Sequence, residues 1–181
     1  MQTSPVSTCR SSGAVIYEDT RQQRGRHAIK HQWWAAHGVE VVRRKLDTGD
    51  YWADGSRYLV DTKKDVQELA GNIGRDHDRF VRELDRATAE GKTLVVLVEE
   101  HPEYERPELL ETWVSRVCSR CRRCNPLTDR CTAKRRKPMN GPQLRKILDA
   151  LSERHGARFM FCDRSETARI VSDLLGIEYE K

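Results

Sequence analysis

The run Lys92-Thr93-Leu94-Val95-Val96-Leu97-Val98-Glu99 limits the possible folds more than any other stretch of this chain. Six β-favouring residues, apolar after Thr93, are too few for a typical helix and show no alternation. Such a run reads as a strand buried on both faces, which is the mark of a sheet covered by helices on its two sides. Before it, Val66, Leu69, Ala70 and Ile73 recur at i, i+3, i+4 and i+7, one apolar stripe of a helix. Phe80, Val81, Leu84 and Ala87 continue helical spacing up to Gly91. Helices feeding a doubly buried strand indicate an α/β class.

The other elements follow the same logic. Ala14 to Tyr17 reads as a first strand that delivers Glu18, Asp19, Thr20 and Arg21 at its C-terminal end, and Arg26 to His37 as a helix stopped by Gly38. Val39 to Leu46 is a strand, and Arg57 to Thr62 another. The Asp54-Gly55 turn signal makes Tyr51 to Thr62 a hairpin partner of the strand before it. The Pro102 to Pro107 stretch breaks the pattern, and a short helix is expected around Glu108 to Val117. Asn140-Gly141-Pro142 opens a helix with proline in its first turn. Arg158 to Cys162 is a last strand, and Asp163-x-x-Glu166 has capping-box spacing for a final helix. The expectation is a tail over 1–12 and one α/β domain over 13–181. Its mixed sheet is flanked by helices, with a basic, cysteine-rich insertion at 117–140.

Charge decides which partners to expect. The chain has a net charge of +5, yet Arg116 to Lys137 alone has nine basic residues and one acid, so the remainder is acidic. Local positive charge of this density is the footprint of a phosphate-backbone contact, which points to DNA. Arg120, Arg122, Arg123, Lys134, Arg135, Arg136 and Lys137 are the expected contacts in that segment, with Arg75 and Arg79 at the helix pair preceding the apolar run. No run approaches the ~18 apolar residues of a membrane span, and Met1 to Ser12 lacks a signal-peptide core. A cytoplasmic protein of prokaryotic or phage type, with no membrane partner, is expected.

Cys118-x2-Cys121-x2-Cys124-x6-Cys131 places four thiols in the same basic segment. Four thiolates can close a tetrahedral Zn²⁺ site. Three at spacing three also suit iron–sulfur ligation, and an unligated set is the third reading. Structural zinc, folding a basic knob, is carried forward as the expectation.

Gly49-Asp50-Tyr51 precedes Val60-Asp61-Thr62-Lys63 by ten residues, the latter at the end of a strand. Two carboxylates suit a hard divalent cation. Period-two alternation puts Lys63 on the same face as Asp61, where an amine can orient water or neutralise charge. That set fits metal-assisted cleavage of a phosphodiester. Trp33, Trp34 and Trp113 are read as core, and His27, His31 and His37 as surface rather than ligands. His77 stands at the start of a helix, where a capping or surface role is expected.

Asp19-Thr20-Arg21, Gly49-Asp50-Tyr51 and Val60-Asp61-Thr62-Lys63 occur in strand order. In that order they resemble the XPF/ERCC-type nuclease domain of the restriction-endonuclease-like PD-(D/E)xK superfamily, and in particular its stand-alone phage and prophage form. The resemblance implies a divalent-metal-dependent DNA endonuclease, often acting at branched or flapped DNA, with Mg²⁺ or Mn²⁺ as cofactor and a homodimer as its oligomer. It implies Asp50 and Asp61 as metal ligands, Lys63 as the catalytic lysine, Asp19 as a further active-site carboxylate and Arg21 as a phosphate or structural partner. The family usually has Glu-Arg-Lys at Asp61-Thr62-Lys63, Arg-Glu at Arg21-Gln22, and an Asp where this chain has Gln67. A non-catalytic DNA-binding accessory protein for repair or recombination, built on the nuclease fold, is the alternative.

Overall fold

The structure, a computed structural model, describes residues 15–23, 25, 27–100, 106–128, 130–133 and 137–180. Six strands form one sheet: β1 (Val15–Asp19), β2 (Glu40–Arg44), β3 (Tyr51–Trp52), β4 (Tyr58–Lys63), β5 (Thr93–Val98) and β6 (Arg158–Phe161). Their spatial order is β2-β1-β3-β4-β5-β6. β1 runs parallel to β2, and β4, β5 and β6 run parallel to one another. The two-residue β3 is antiparallel to both β1 and β4 and joins the two parallel halves.

The mixed sheet flanked by helices is therefore as expected, with one pairing corrected. β2 is not the hairpin partner of the Tyr51–Thr62 segment. It lies at the sheet edge beside β1, in the register Val15↔Glu40 to Asp19↔Arg44. The Asp54-Gly55 turn serves the short β3–β4 hairpin instead, with Tyr51 opposite Val60.

β5 is central, and Leu94 to Val98 are all buried. Its residues divide between two cores, because successive side chains leave opposite faces. Leu94, Val96 and Val98 pack under α2 (Val66–Arg75), α3 (His77–Ala89) and α5 (Gly141–His155). Leu97 packs with Val60, Ile16 and Tyr51 under α1 (Ala28–Ala36) and α6 (Thr167–Leu175). Trp34 is fully buried between those last two helices, and its indole N–H donates to Ser172 Oγ at 3.0 Å and Ala168 O at 3.2 Å. Trp113 is also in the core, as expected, and Trp33 packs at its margin.

The helix starts show which local signals were used. Asp65 caps α2 by accepting from the Glu68 N–H at 2.7 Å, and Asn140 with Gln143 forms a full capping box on α5. The expected box Asp163-x-x-Glu166 does not form. Asp163 Oδ1 instead accepts from the N–H and hydroxyl of Ser165, a local turn, and α6 begins after Glu166 with no side-chain cap. The helix expected over Glu108 to Val117 is divided into a 3₁₀ segment, Pro107–Thr112, and the short α4, Arg116–Ser119. Between them Trp113 turns extended to enter the core. Gly141, the first residue of α5, lies hard against the 3₁₀ segment: a Cβ there would stand 1.9 Å from Leu110 O.

Candidate active site

The strand ends place the acidic groups. On β4 Asp61 and Lys63 share a face, and Lys63 Nζ lies 2.5 Å from Asp61 Oδ2, both nearly buried. Lys63 is the side-chain partner of Asp61 Oδ2, which is shielded from solvent. Asp50 arrives from the β2–β3 connection. Its N–H donates to Val60 O and its carbonyl accepts from the Asp19 N–H, each at 2.8 Å, so the backbone of Asp50 bridges β4 and β1. Its carboxylate turns to β4, where Oδ2 accepts from the Thr62 N–H at 2.8 Å and the Thr62 hydroxyl at 2.7 Å. Asp50 Oδ1 accepts no bond among the described residues.

Gly49 makes that turn possible. It adopts φ +74°, and a Cβ would stand 3.1 Å from Val60 O and 3.5 Å from Leu59 Cβ. Gly49→Ala is expected to cost about 1–3 kcal/mol from the left-handed backbone alone, and to displace Asp50 from Thr62. Urea unfolding checks the first effect; an unchanged midpoint would contradict it.

Burial pushes the pKa of Asp61 up, to about 7; Lys63 opposes that rise, and Asp50 and Glu83 add to it. For Lys63 burial alone would lower the pKa, but Asp61, Asp50 and Glu83 together outweigh burial and the net direction is up. The cluster thus has three acids and one base. Glu83 belongs to α3 and accepts from the Gly49 N–H at 3.2 Å, so it holds the same turn that presents Asp50. The donor set fits a divalent cation: the Asp61 carboxylate with only Lys63 as its partner, an Asp50 oxygen that accepts no bond among the described residues, and three acids against one base. Among the described residues no three His, Cys, Asp or Glu side chains gather as a metal group. Two carboxylates completed by water is, however, the usual way Mg²⁺ is held.

A cleft of ≈ 640 Å³ opens beside these groups. Asp50, Asp61 and Lys63 line it together with Arg21, Lys30, Lys64, Glu99 and Arg164. Lys30 of α1 is buried and pairs with Glu99 Oε1 at 2.7 Å, and Arg164 Nε approaches Glu99 Oε2 at 3.6 Å.

One family model, the ERCC4 domain, matches the sequence over residues 19–174. The chain belongs to the ERCC4-domain family. Among solved structures it resembles XPF from Aeropyrum pernix, at 20% identity and a TM-score of 0.53, over 90% of this chain and 60% of that one. It also resembles XPF from Aeropyrum pernix in complex with DNA, at 19% identity and a TM-score of 0.57, over 90% of this chain and 64% of that one. These likenesses show the fold. The chain spans about three-fifths of the length of those solved chains. No curated protein matches it.

In this ERCC4 domain the expected site residues fall into separate places. Asp50, Asp61 and Lys63 converge. Asp19 does not line the cleft: its carboxylate is buried and taken up by the backbone N–H and guanidinium of Arg21, whose Nη2 also donates to Leu46 O at 2.9 Å. Arg21 itself reaches the cleft. Arg75 lies outside it, in a neighbouring groove with Lys137, while Arg79 and His77 are exposed on α3. Arg120, Arg122 and Arg123 are exposed after α4, and Lys134, Arg135 and Arg136 lie outside the described residues.

The zinc expectation lacks a formed ligand set. Cys118, Cys121, Cys124 and Cys131 are all half-buried, and among the described residues they are not gathered as metal ligands. Cys118 and Cys121 share one turn, the Cys121 N–H donating to Cys118 O at 2.9 Å.

Of the histidines expected at the surface, His31 is exposed but reaches a buried acid, and His27 is half-buried. His31 Nε2 lies 2.9 Å from Oε1 of the buried Glu18. His27 lines the cleft, where burial and then the charge of Lys30 lower its pKa. Thr62, Glu83, Lys30 and Glu99 went unread in the sequence. Two signals were available: Lys30 stands four residues before Trp34, on the apolar side of α1, and Glu99 directly follows the central strand, where α/β sheets place their ligand crevices.

Proposed function

We propose that the chain is a divalent-metal-dependent DNA endonuclease that hydrolyses the phosphodiester backbone in the Asp50–Asp61 cleft. The observation that supports this most is the gathering in one cleft of the buried Asp61 carboxylate, the Lys63 ammonium paired with it and the Asp50 carboxylate. Burying carboxylates is costly, so a buried acid with further acids around it and one ammonium persists where another cation can join it. Asp50 and Asp61 would hold Mg²⁺ or Mn²⁺. When bound, the cation supplies a water of lowered pKa and polarises the phosphoryl oxygen.

The chain's own residues do the rest. Thr62 fixes the rotamer of Asp50 through two hydrogen bonds. Lys63, kept protonated by its three acidic neighbours, donates toward the attacking water or a non-bridging oxygen as charge builds there. Arg21, Lys64 and Arg164 line the cleft and neutralise flanking phosphates. Water oxygen bonds to phosphorus, the ester P–O bond breaks, and the departing oxygen takes up a proton. The XPF structure matched in complex with DNA supports DNA as substrate, and family membership supports branched or flapped forms.

The test is incubation with flap, junction and blunt duplex DNA plus Mg²⁺ or Mn²⁺. Products are expected with either ion and none in EDTA. Independently of activity, saturating Mn²⁺ is expected to stabilise the wild type by roughly 2–3 kcal/mol, the linkage gain at about 100 times Kd. Asp50→Asn/Asp61→Asn should not respond. Equal thermal shifts in both would remove the metal from this cleft. Gln22 in place of the family's acid favours one rival, a non-cutting DNA-binding protein, which predicts binding without product in the same assay.

A further inference from the structure

We propose that the groove between α2, α4 and the start of α5 holds a single-stranded arm of the DNA as it leaves the cleft. This deepens the nuclease reading and rests on it for the identity of the substrate. The groove has a volume of ≈ 1120 Å³, larger than the cleft, and Lys64 and Glu68 line both. The two are therefore adjacent, and a strand held at Asp50 and Asp61 that leaves along α2 would pass into the groove.

The chemistry of the walls selects the occupant. Lys64, Arg75, Lys137 and Lys146 present cations to the groove. Its two carboxylates are engaged: Asp65 with Arg116 Nη2 at 2.7 Å, and Glu68 with the Lys64 N–H at 3.1 Å. The surplus is positive, which suits a polyanion. Between the cations lies apolar surface from Val117, Met139 and Ile147, and Val117 is 63% exposed, one of the most exposed large apolar side chains described. A duplex presents phosphates and keeps its bases stacked away, so it would leave that surface unmatched. A single strand offers both phosphates for the cations and bare base faces that lose contact with water against the apolar side chains. The floor is low because α2 carries Gly71 and Gly74 there.

Anisotropy with a labelled oligothymidylate and a labelled blunt duplex, in EDTA so that nothing is cut, tests the groove. Lys137→Glu/Lys146→Glu is expected to weaken single-strand binding about tenfold or more, and to flatten its salt dependence by roughly 0.7 for each phosphate no longer neutralised. Duplex affinity should fall far less. Gly71→Leu, which fills the floor with a good helix former, should weaken single-strand binding without changing charge. Unchanged single-strand affinity in both variants overturns the proposal, as does an equal loss for the duplex. Concentration-dependent self-association of the wild type, lost in Gly71→Leu with DNA affinity retained, would give the groove to a second copy of the chain and equally overturn it. A wild type that cuts no DNA, yet binds the single strand through Lys137 and Lys146, refutes the nuclease reading and upholds the groove.

Discussion

The double substitution Asp61→Asn/Lys63→Met is expected to abolish DNA cleavage while leaving the fold at least as stable as the wild type. Loss of a preorganised charge stabiliser alone costs about 10²–10³ in rate, and this variant also loses a proposed metal ligand. Stability follows a different rule. Asp61 and Lys63 are nearly buried and touch at 2.5 Å, and replacing a buried pair by neutral groups of similar size is commonly neutral or stabilising. Breaking the pair is not. Lys63→Met alone leaves Asp61 an uncompensated buried acid, for a loss of about 3–5 kcal/mol near pH 8.

The pH dependence separates these cases. Burial pushes the pKa of Asp61 up to about 7, against about 3.9 in an unfolded chain. The folded state is the better proton binder, so the contribution of this group is complete below about pH 4 and is lost as pH rises through about 7. Cation-free wild type should therefore lose stability over that window, Lys63→Met should lose more, and the double variant should show no such slope from this site. Urea unfolding at mildly acidic and mildly alkaline pH in EDTA measures all three. A double variant less stable than Lys63→Met would show that the pair holds the fold together rather than serving chemistry at its expense.

Gly141→Ala is expected to destabilise the protein by about 3 kcal/mol, although alanine is the better helix former by ~1 kcal/mol. The added Cβ would stand 1.9 Å from Leu110 O and 2.8 Å from Glu111 O. Both are backbone atoms, so no rotamer change relieves the clash. α5 must move off the 3₁₀ segment, opening the core where Leu110, Leu144 and Leu148 are buried. Overpacking of this kind costs about 1–3 kcal/mol, and more when the obstacle is rigid. For a chain of this size the melting temperature should fall by roughly 6–12 °C. Calorimetry checks it, and a shift near zero would mean that the α5–3₁₀ junction yields freely.

Much of this architecture could be read from residue order, because it rests on local pattern. The apolar run at Thr93–Val98, the stripe Val66-Leu69-Ala70-Ile73 and the Asn140 start each carry their own period or cap. The convergence of Asp50, Asp61 and Lys63 was legible for the same reason, since alternation along one strand and a turn before another fix their sides. The misreadings are non-local. β2 could pair with either neighbour by its composition, and only the packed sheet decides for the parallel register beside β1. Glu83 reaches Gly49 from thirty-four residues away, and Lys30 meets Glu99 across sixty-nine. Such contacts follow from helices folding onto the sheet and leave no spacing to count. The cysteine segment is different: its spacing is suggestive, but among the described residues the thiols are not gathered as a ligand group.

β5 has a consequence for how the molecule breathes. It is hydrogen-bonded to a parallel neighbour on each side and covered by helices above and below. Its amides should be among the last to exchange with deuterated solvent, at the free energy of global opening. Lys63 pairs with Val98 at the end of this ladder, so the reactive groups are fastened to the most persistent unit of the protein. Fraying of the α4 region would then leave Asp61 and Lys63 in place while loosening the grip proposed for the groove beside it.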